Sequence, residues 1–90
     1  MTKEQLNMIV ALLTAQQIAT THLSLLIAEQ SGIPKEGIAE SFRKTAERLA
    51  PNFKNRDIIS KALQAIAEGI DSSTPADPAQ VEEQIRSLLH

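Results

Sequence analysis

The 90-residue chain has no cysteine, no tryptophan and no tyrosine. Without cysteine there can be no disulfide, thiolate metal site or thiol chemistry, and the redox compartment is left open, with a reducing cytoplasm as the default expectation. With two phenylalanines as the only aromatics, the core must be built from Leu, Ile, Val and Ala. These side chains let helices approach closely but supply few large interface anchors. Sequence signatures of catalysis are missing too. There is no G-x-x-x-x-G-K, no G-x-G-x-x-G and no nucleophile elbow around Ser24, Ser41 or Ser60. The chain is therefore expected not to be an enzyme, and no cofactor or metal is expected.

Charge is missing over the longest stretch. From Gln5 to Ala28, 24 residues pass without a formal charge, a length that would cross a bilayer. Nine of them are polar (Gln5, Asn7, Thr14, Gln16, Gln17, Thr20, Thr21, His22 and Ser24). They cluster in the middle, where a membrane helix tolerates them least. The expectation is a soluble helix that hides most of its circumference against protein, with no membrane partner. A signal peptide is also disfavoured. Lys3 precedes the apolar run Met8 to Leu13 and Ala15 suits a cleavage position, but Glu4 spoils the basic start and the helical pattern continues beyond Ala15.

What is present describes one small helical domain, residues 1–90. Hydrophobic residues make up 42% and charged residues 22%, close to globular averages, which argues against a wholly disordered chain. At this size a chain buries only about 60 to 65% of its unfolded surface, so stability is modest unless a partner adds area. The net charge of −2 gives no overall attraction to nucleic acid or anionic lipid. Its distribution is uneven: Arg43, Lys44, Arg48, Lys54, Arg56 and Lys61 face only Glu47 and Asp57, whereas beyond Glu68 the balance is acidic.

Four helices are expected, at about 3–30, 34–49, 56–68 and 78–89, with the three short ones packed on the first as a helical bundle. Thr2 and Gln5 form a capping box, and nothing breaks the first helix before Ser31-Gly32. It carries two apolar stripes. One is Leu6, Ile9, Leu13, Gln16, Thr20, Leu23 and Ile27; the other is Met8, Leu12, Ala15, Ala19, His22 and Leu26. Pro34 opens the second helix and Pro51 prevents its continuation. Asn55 suits the N-cap of the third, and Gly69-Ile70 suits a left-handed ending. Residues 71–77 read as a linker, and Asp77-Pro78-Ala79-Gln80 repeats the start signal for a fourth helix carrying Val81, Ile85, Leu88 and Leu89 on one face.

Several residues invite a chemical reading, and each has a plainer one. His22 has no second histidine or carboxylate one turn away, so it is expected at a helix contact, hydrogen-bonded to Thr or Gln; in a dimer interface its titration would make assembly pH-sensitive. Glu82-Glu83 and Glu36/Glu40 sit on solvated faces without the desolvation that tunes a catalytic carboxylate. The basic corner formed by Arg43, Lys44, Arg48, Lys54, Arg56 and Lys61 superficially suggests helix-turn-helix. Its turn contains Pro51, however, few polar groups start the next helix, and no aromatic is available for stacking.

The first helix outreaches its companions, which leaves part of it without an intramolecular partner. A homodimer through Leu6, Ile9, Leu13, Gln16, Thr20, Leu23 and Ile27 is the expected remedy. An antiparallel pair would bring Gln16 and Gln17 together at the twofold axis, with Leu6 near Ile27 of the other chain, a polar layer that sets register at a cost in stability. The expected function is a small non-enzymatic protein acting by contact with an unidentified protein partner, as adaptor, assembly factor or inhibitor. The alternative is a nucleic-acid-binding regulator using the basic corner 43–61.

Overall fold

A computed structural model of the chain describes residues 1–88 and consists of four helices: α1 (Lys3–Ser31), α2 (Lys35–Glu47), α3 (Arg56–Ser72) and α4 (Pro78–Leu88). The described residues include no strand, so the protein is all-α. Leu89, assigned from sequence to the apolar face of the fourth helix, lies outside the described residues.

Local chemistry accounts for most helix ends. At the start of α1 the Gln5 N–H donates to Thr2 Oγ1 at 3.1 Å and the Thr2 N–H donates to Gln5 Oε1 at 2.9 Å, a reciprocal capping box. At its end Gly32 adopts φ 71°, left-handed backbone that a Cβ would disfavour, and donates to the Ala28 carbonyl at 3.1 Å. Asp77 Oδ1 accepts from the Ala79 N–H at 2.7 Å, with Pro78 as the first residue of α4, where its missing N–H removes nothing. Asn55 precedes α3 with φ 60° and makes no side-chain cap. It serves there as a left-handed turn residue.

α3 does not stop at Glu68. It continues through Gly69 and Ile70 to Ser72, and the left-handed residue is Ser73, at φ 54°. The connection to α4 is shorter than the expected 71–77 accordingly. Gly69 serves packing instead of termination. A Cβ placed there would lie 3.3 Å from Thr21 Oγ1 and 3.2 Å from the Thr74 carbonyl oxygen, so the missing side chain lets α3 approach α1 closely. Ile70, one residue on, is completely buried, which offsets the low helix propensity of the glycine.

α2 and α3 make the most extensive helix pair, and α1 touches α2, α3 and α4. The core is small. Ala39, Ala67 and Ile70 are fully buried at its centre, with Leu25, Ile38, Phe42 and Ile66 packed around them. Val81, 1% exposed, anchors α4. At 29 residues α1 is about 43 Å long, and it spans the long dimension of a molecule measuring 44 × 29 × 15 Å.

This shape leaves a great deal of surface. The chain exposes 6292 Å², against about 5,200 Å² for a compact monomer of its mass. Its radius of gyration is 13.8 Å, against about 12 Å for a compact domain of this length. Three short helices do not wrap one so long, and within the single chain only one narrow strip of α1 is covered.

Candidate interaction surface

The covered strip of α1 is polar. Its buried residues are Val10, Thr14, Gln17, Thr21 and Ser24, at the i, i+3, i+4 spacing of one helix face. Four of the five carry a hydroxyl or an amide. Small side chains permit close approach to α3, and two of the polar ones have hydrogen-bond partners. Thr14 Oγ1 donates to the Val10 carbonyl at 2.6 Å, and Gln17 Nε2 donates to Gln84 Oε1 on α4 at 3.4 Å. Among the described residues no buried side-chain nitrogen or oxygen lacks a partner, so the strip costs little in unsatisfied groups.

The opposite side of α1 is apolar and faces outward. Met8 is 65% exposed, Leu12 63%, Leu23 55% and Ile27 51%, and Ile9, Leu13, Ile18 and Leu26 also stand exposed. An isolated exposed leucine is unremarkable. A row of such residues along one helix is a contiguous patch of the kind that marks an interaction surface. The polarity of α1 is thus inverted relative to an ordinary surface helix, which buries its apolar arc and wets the polar one.

No protein-family model matches the chain, and no curated protein or solved structure matches it.

Of the residues expected at a dimer interface, Ile9, Leu13, Gln16, Leu23 and Ile27 are exposed, while Leu6 and Thr20 are half-buried. Thr20 Oγ1 donates to the Gln16 carbonyl at 2.9 Å. The sequence-based set omitted Met8, Leu12 and Leu26, whose side chains belong to the same outward face. His22 is exposed and makes no hydrogen bond among the described residues, contrary to the expected Thr or Gln partner. At about 100° per residue His22 falls outside the inward strip that Gln17, Thr21 and Ser24 occupy.

By length and composition α1 is apolar enough to cross a membrane, with a mean hydropathy of 1.4 over its best window. Its inner strip, however, carries Thr14, Gln17, Thr21 and Ser24 against the rest of the protein. Its outer face is interrupted by Gln16 and flanked at that end by a single cation, Lys3, whereas helices lying on lipid display several Lys or Arg.

Two residues of the basic corner, Arg43 and Arg56, are engaged with acidic neighbours. Arg43 Nη2 donates to Asp71 Oδ2 at 2.5 Å, and Glu40 lies 3.8 Å from the same guanidinium. The hydrogen bond to Asp71 raises the Arg43 pKa above its ordinary value. Arg56 Nε donates to the Leu49 carbonyl at 3.2 Å, and its guanidinium lies 3.7 Å from Asp57. Lys44, Arg48, Lys54 and Lys61 are exposed and have no ion-pair partner among the described residues. Two of the six cations, Arg56 and Lys61, share a shallow depression with Asp57 and with the exposed ring of Phe53, which corrects the expectation that the corner holds no aromatic.

A polar cleft of about 430 Å³ lies between α1, α3 and α4, lined by Gln17, Thr21, Glu68, Ser72, Gln80 and Gln84 among others. Its single ionisable lining residue, Glu68, is exposed. The lining thus offers one solvated carboxylate, without the desolvation that tunes a catalytic acid or base.

Proposed function

We propose that this chain is a non-enzymatic protein-contact module that self-associates through the outward face of α1 and acts as an adaptor, assembly factor or inhibitor. The observation that carries the reading is the inverted polarity of α1: polar residues pack inside the monomer, and Met8, Leu12, Leu23 and Ile27 are more than half exposed. Such a face is costly in water unless something covers it, because burial of apolar area contributes about 25 cal/mol per Å². The surface beyond that of a compact monomer, roughly 1,100 Å², exceeds the contribution of about 800 Å² that each partner makes to a standard interface.

A second copy is the partner present wherever the protein is made, and a twofold pair covers the same patch on both chains. The homodimer then presents two sets of α2, α3 and α4 to other proteins. Light scattering after size exclusion, over a dilution series, tests the reading. A mass of twice the 9.8 kDa chain supports it, and a monomer persisting at about 100 μM, above the range of an ordinary specific complex, overturns it.

A further inference from the structure

The outward face of α1 has a seven-residue repeat that also reads the same in both directions. Gln5, Ile9, Leu12, Gln16, Ala19, Leu23, Leu26 and Gln30 follow one another at steps of four and three, the seam spacing of a coiled coil, and all eight are exposed. At about 100° per residue this seam lies roughly 150° around the helix from the buried strip. Residues equidistant from the Gln17–Ile18 bond match in kind: Gln5 with Gln30, Ile9 with Leu26, Leu12 with Leu23, and Gln16 with Ala19.

We propose that two copies pair through α1 as an antiparallel coiled coil whose twofold axis passes between Gln17 and Ile18. This inference rests on the self-association proposed above and specifies its geometry. In this register the apolar layers Ile9–Leu26 and Leu12–Leu23 each occur twice, and each Gln16 lies across from an Ala19. A bulky polar side chain therefore meets the smallest residue of the seam, and its amide can reach past the methyl to water at the edge.

The competing arrangements fit worse. Sliding one helix by a heptad sets Leu12 against Gln16 and Gln5 against Leu23, leaving apolar seam positions opposite amides. A parallel pair puts Ala19 on Ala19, which leaves a gap, and Gln16 on Gln16, which crowds two amides into one layer. The shoulders of the seam discriminate as well. Leu6, Leu13, Thr20 and Ile27 lie along one side, and Met8, Ala15, His22 and Glu29 along the other. Antiparallel pairing sets each shoulder against itself, so Leu6 meets Ile27 and Leu13 meets Thr20 of the second copy. Parallel pairing crosses the shoulders and places His22 beside Ile27.

The area agrees with this occupant. Met8, Ile9, Leu12, Leu13, Leu23, Leu26 and Ile27 are 37% to 65% exposed, together on the order of 700 Å², close to the share of one partner in a standard interface. The uncharged run from Gln5 to Ala28 coincides with the paired region, so the seam buries no formal charge.

The absence of cysteine makes cross-linking decisive. Leu12→Cys and Leu23→Cys are prepared singly, the second with a mass tag, then mixed under reducing conditions and oxidised. The mixture should give the heterodimeric disulfide in about tenfold excess over either homodimer, since only opposed Cβ atoms come within bonding reach. Gln16→Cys with Ala19→Cys repeats the test at positions whose substitution removes no leucine. Self-cross-linking of each single variant, with the wild-type chain still a dimer by light scattering, overturns the antiparallel register and leaves self-association standing. A wild-type chain that stays monomeric overturns both. If that monomer also co-sediments with phosphatidylcholine vesicles, the face belongs to lipid.

Discussion

Leu12→Ala separates the stability of the folded chain from the stability of its assembly. In the single chain Leu12 is 63% exposed, so its truncation removes little internal packing, and alanine is at least as good a helix former as leucine. The folding free energy of the monomer should therefore change by less than about 0.5 kcal/mol. In the dimer the same side chain lies in the seam. The exposed part of Leu12 amounts to about 120 Å², worth about 3 kcal/mol when fully covered at 25 cal/mol per Å². Truncation to Ala forfeits about two thirds of that, and the twofold axis makes the loss occur twice. The dimer should weaken by about 4 kcal/mol, close to a thousandfold in dissociation constant. Sedimentation equilibrium over a concentration series measures the dissociation constant, and urea unfolding at a concentration where both proteins are monomeric measures the folding term. Val10→Ala, on the buried strip at 7% exposure, is the mirror control: it should lower monomer stability by roughly 1 kcal/mol and leave association almost untouched. If Leu12→Ala lowered monomer stability as Val10→Ala does, or left the dissociation constant within twofold of wild type, the assignment of inner and outer faces would be wrong.

Other expected outcomes follow from the same geometry. Gln16→Leu should tighten the dimer by about tenfold in a dilution series, because it replaces an amide in the seam by an apolar side chain, and it should also loosen the single register by admitting parallel or higher-order species. Gly69→Val should destabilise the fold by about 1 to 3 kcal/mol in urea melts, since even its Cβ meets Thr21 Oγ1 and the Thr74 carbonyl at 3.3 and 3.2 Å and one wall must move. The melting temperature of the wild-type protein should rise by about 4 °C per tenfold increase in concentration, as expected when unfolding about 180 residues is coupled to dissociation. A protein without Trp or Tyr barely absorbs at 280 nm, so nucleic acid bound to the basic corner would dominate its spectrum. Purified material should show no 260 nm peak at low salt, and a salt-sensitive one would revive the nucleic-acid reading.

Much of the architecture was legible because helix boundaries are local. The Thr2–Gln5 box, Gly32, Pro34 and Asp77-Pro78 each act within a turn of their own position, and each works in the structure near the end it announces. Gly69 misled for the converse reason. A glycine followed by a hydrophobic residue looks the same whether it ends a helix or lets another helix pass close, and only the position of Thr21, 48 residues away in the chain, decides between them. The same limit governed the choice of face on α1. Both apolar stripes were visible, but which arc turns inward depends on which surface α2, α3 and α4 offer. On that surface Gly69 leaves room that Thr21 occupies, a fit too close for a leucine at the same place. The strict four-three spacing from Gln5 to Gln30 was the available signal for the outer arc, and it was obscured by sorting the same residues into two wider stripes.

The inverted helix and the small core have a common physical consequence. Among the described residues six apolar ones are buried in the single chain: Val10, Ala39, Ala46, Ala67, Ile70 and Val81. Three of them are alanines, which contribute little transfer free energy when covered. Eight larger apolar side chains on α1 remain exposed. More apolar area therefore lies exposed on the outer face than the largest core residues provide within the fold, and for a chain of this length a single core leaves modest stability. Had α1 packed its leucines inward, the monomer would gain stability and the outer arc, then lined with Thr, Ser and Gln, would offer nothing to a second copy. Turning the polar strip inward divides the available hydrophobic free energy between folding and association. If the outer arc pairs as proposed, the folded population depends on protein concentration, and a melting temperature that rises with concentration is its measurable sign.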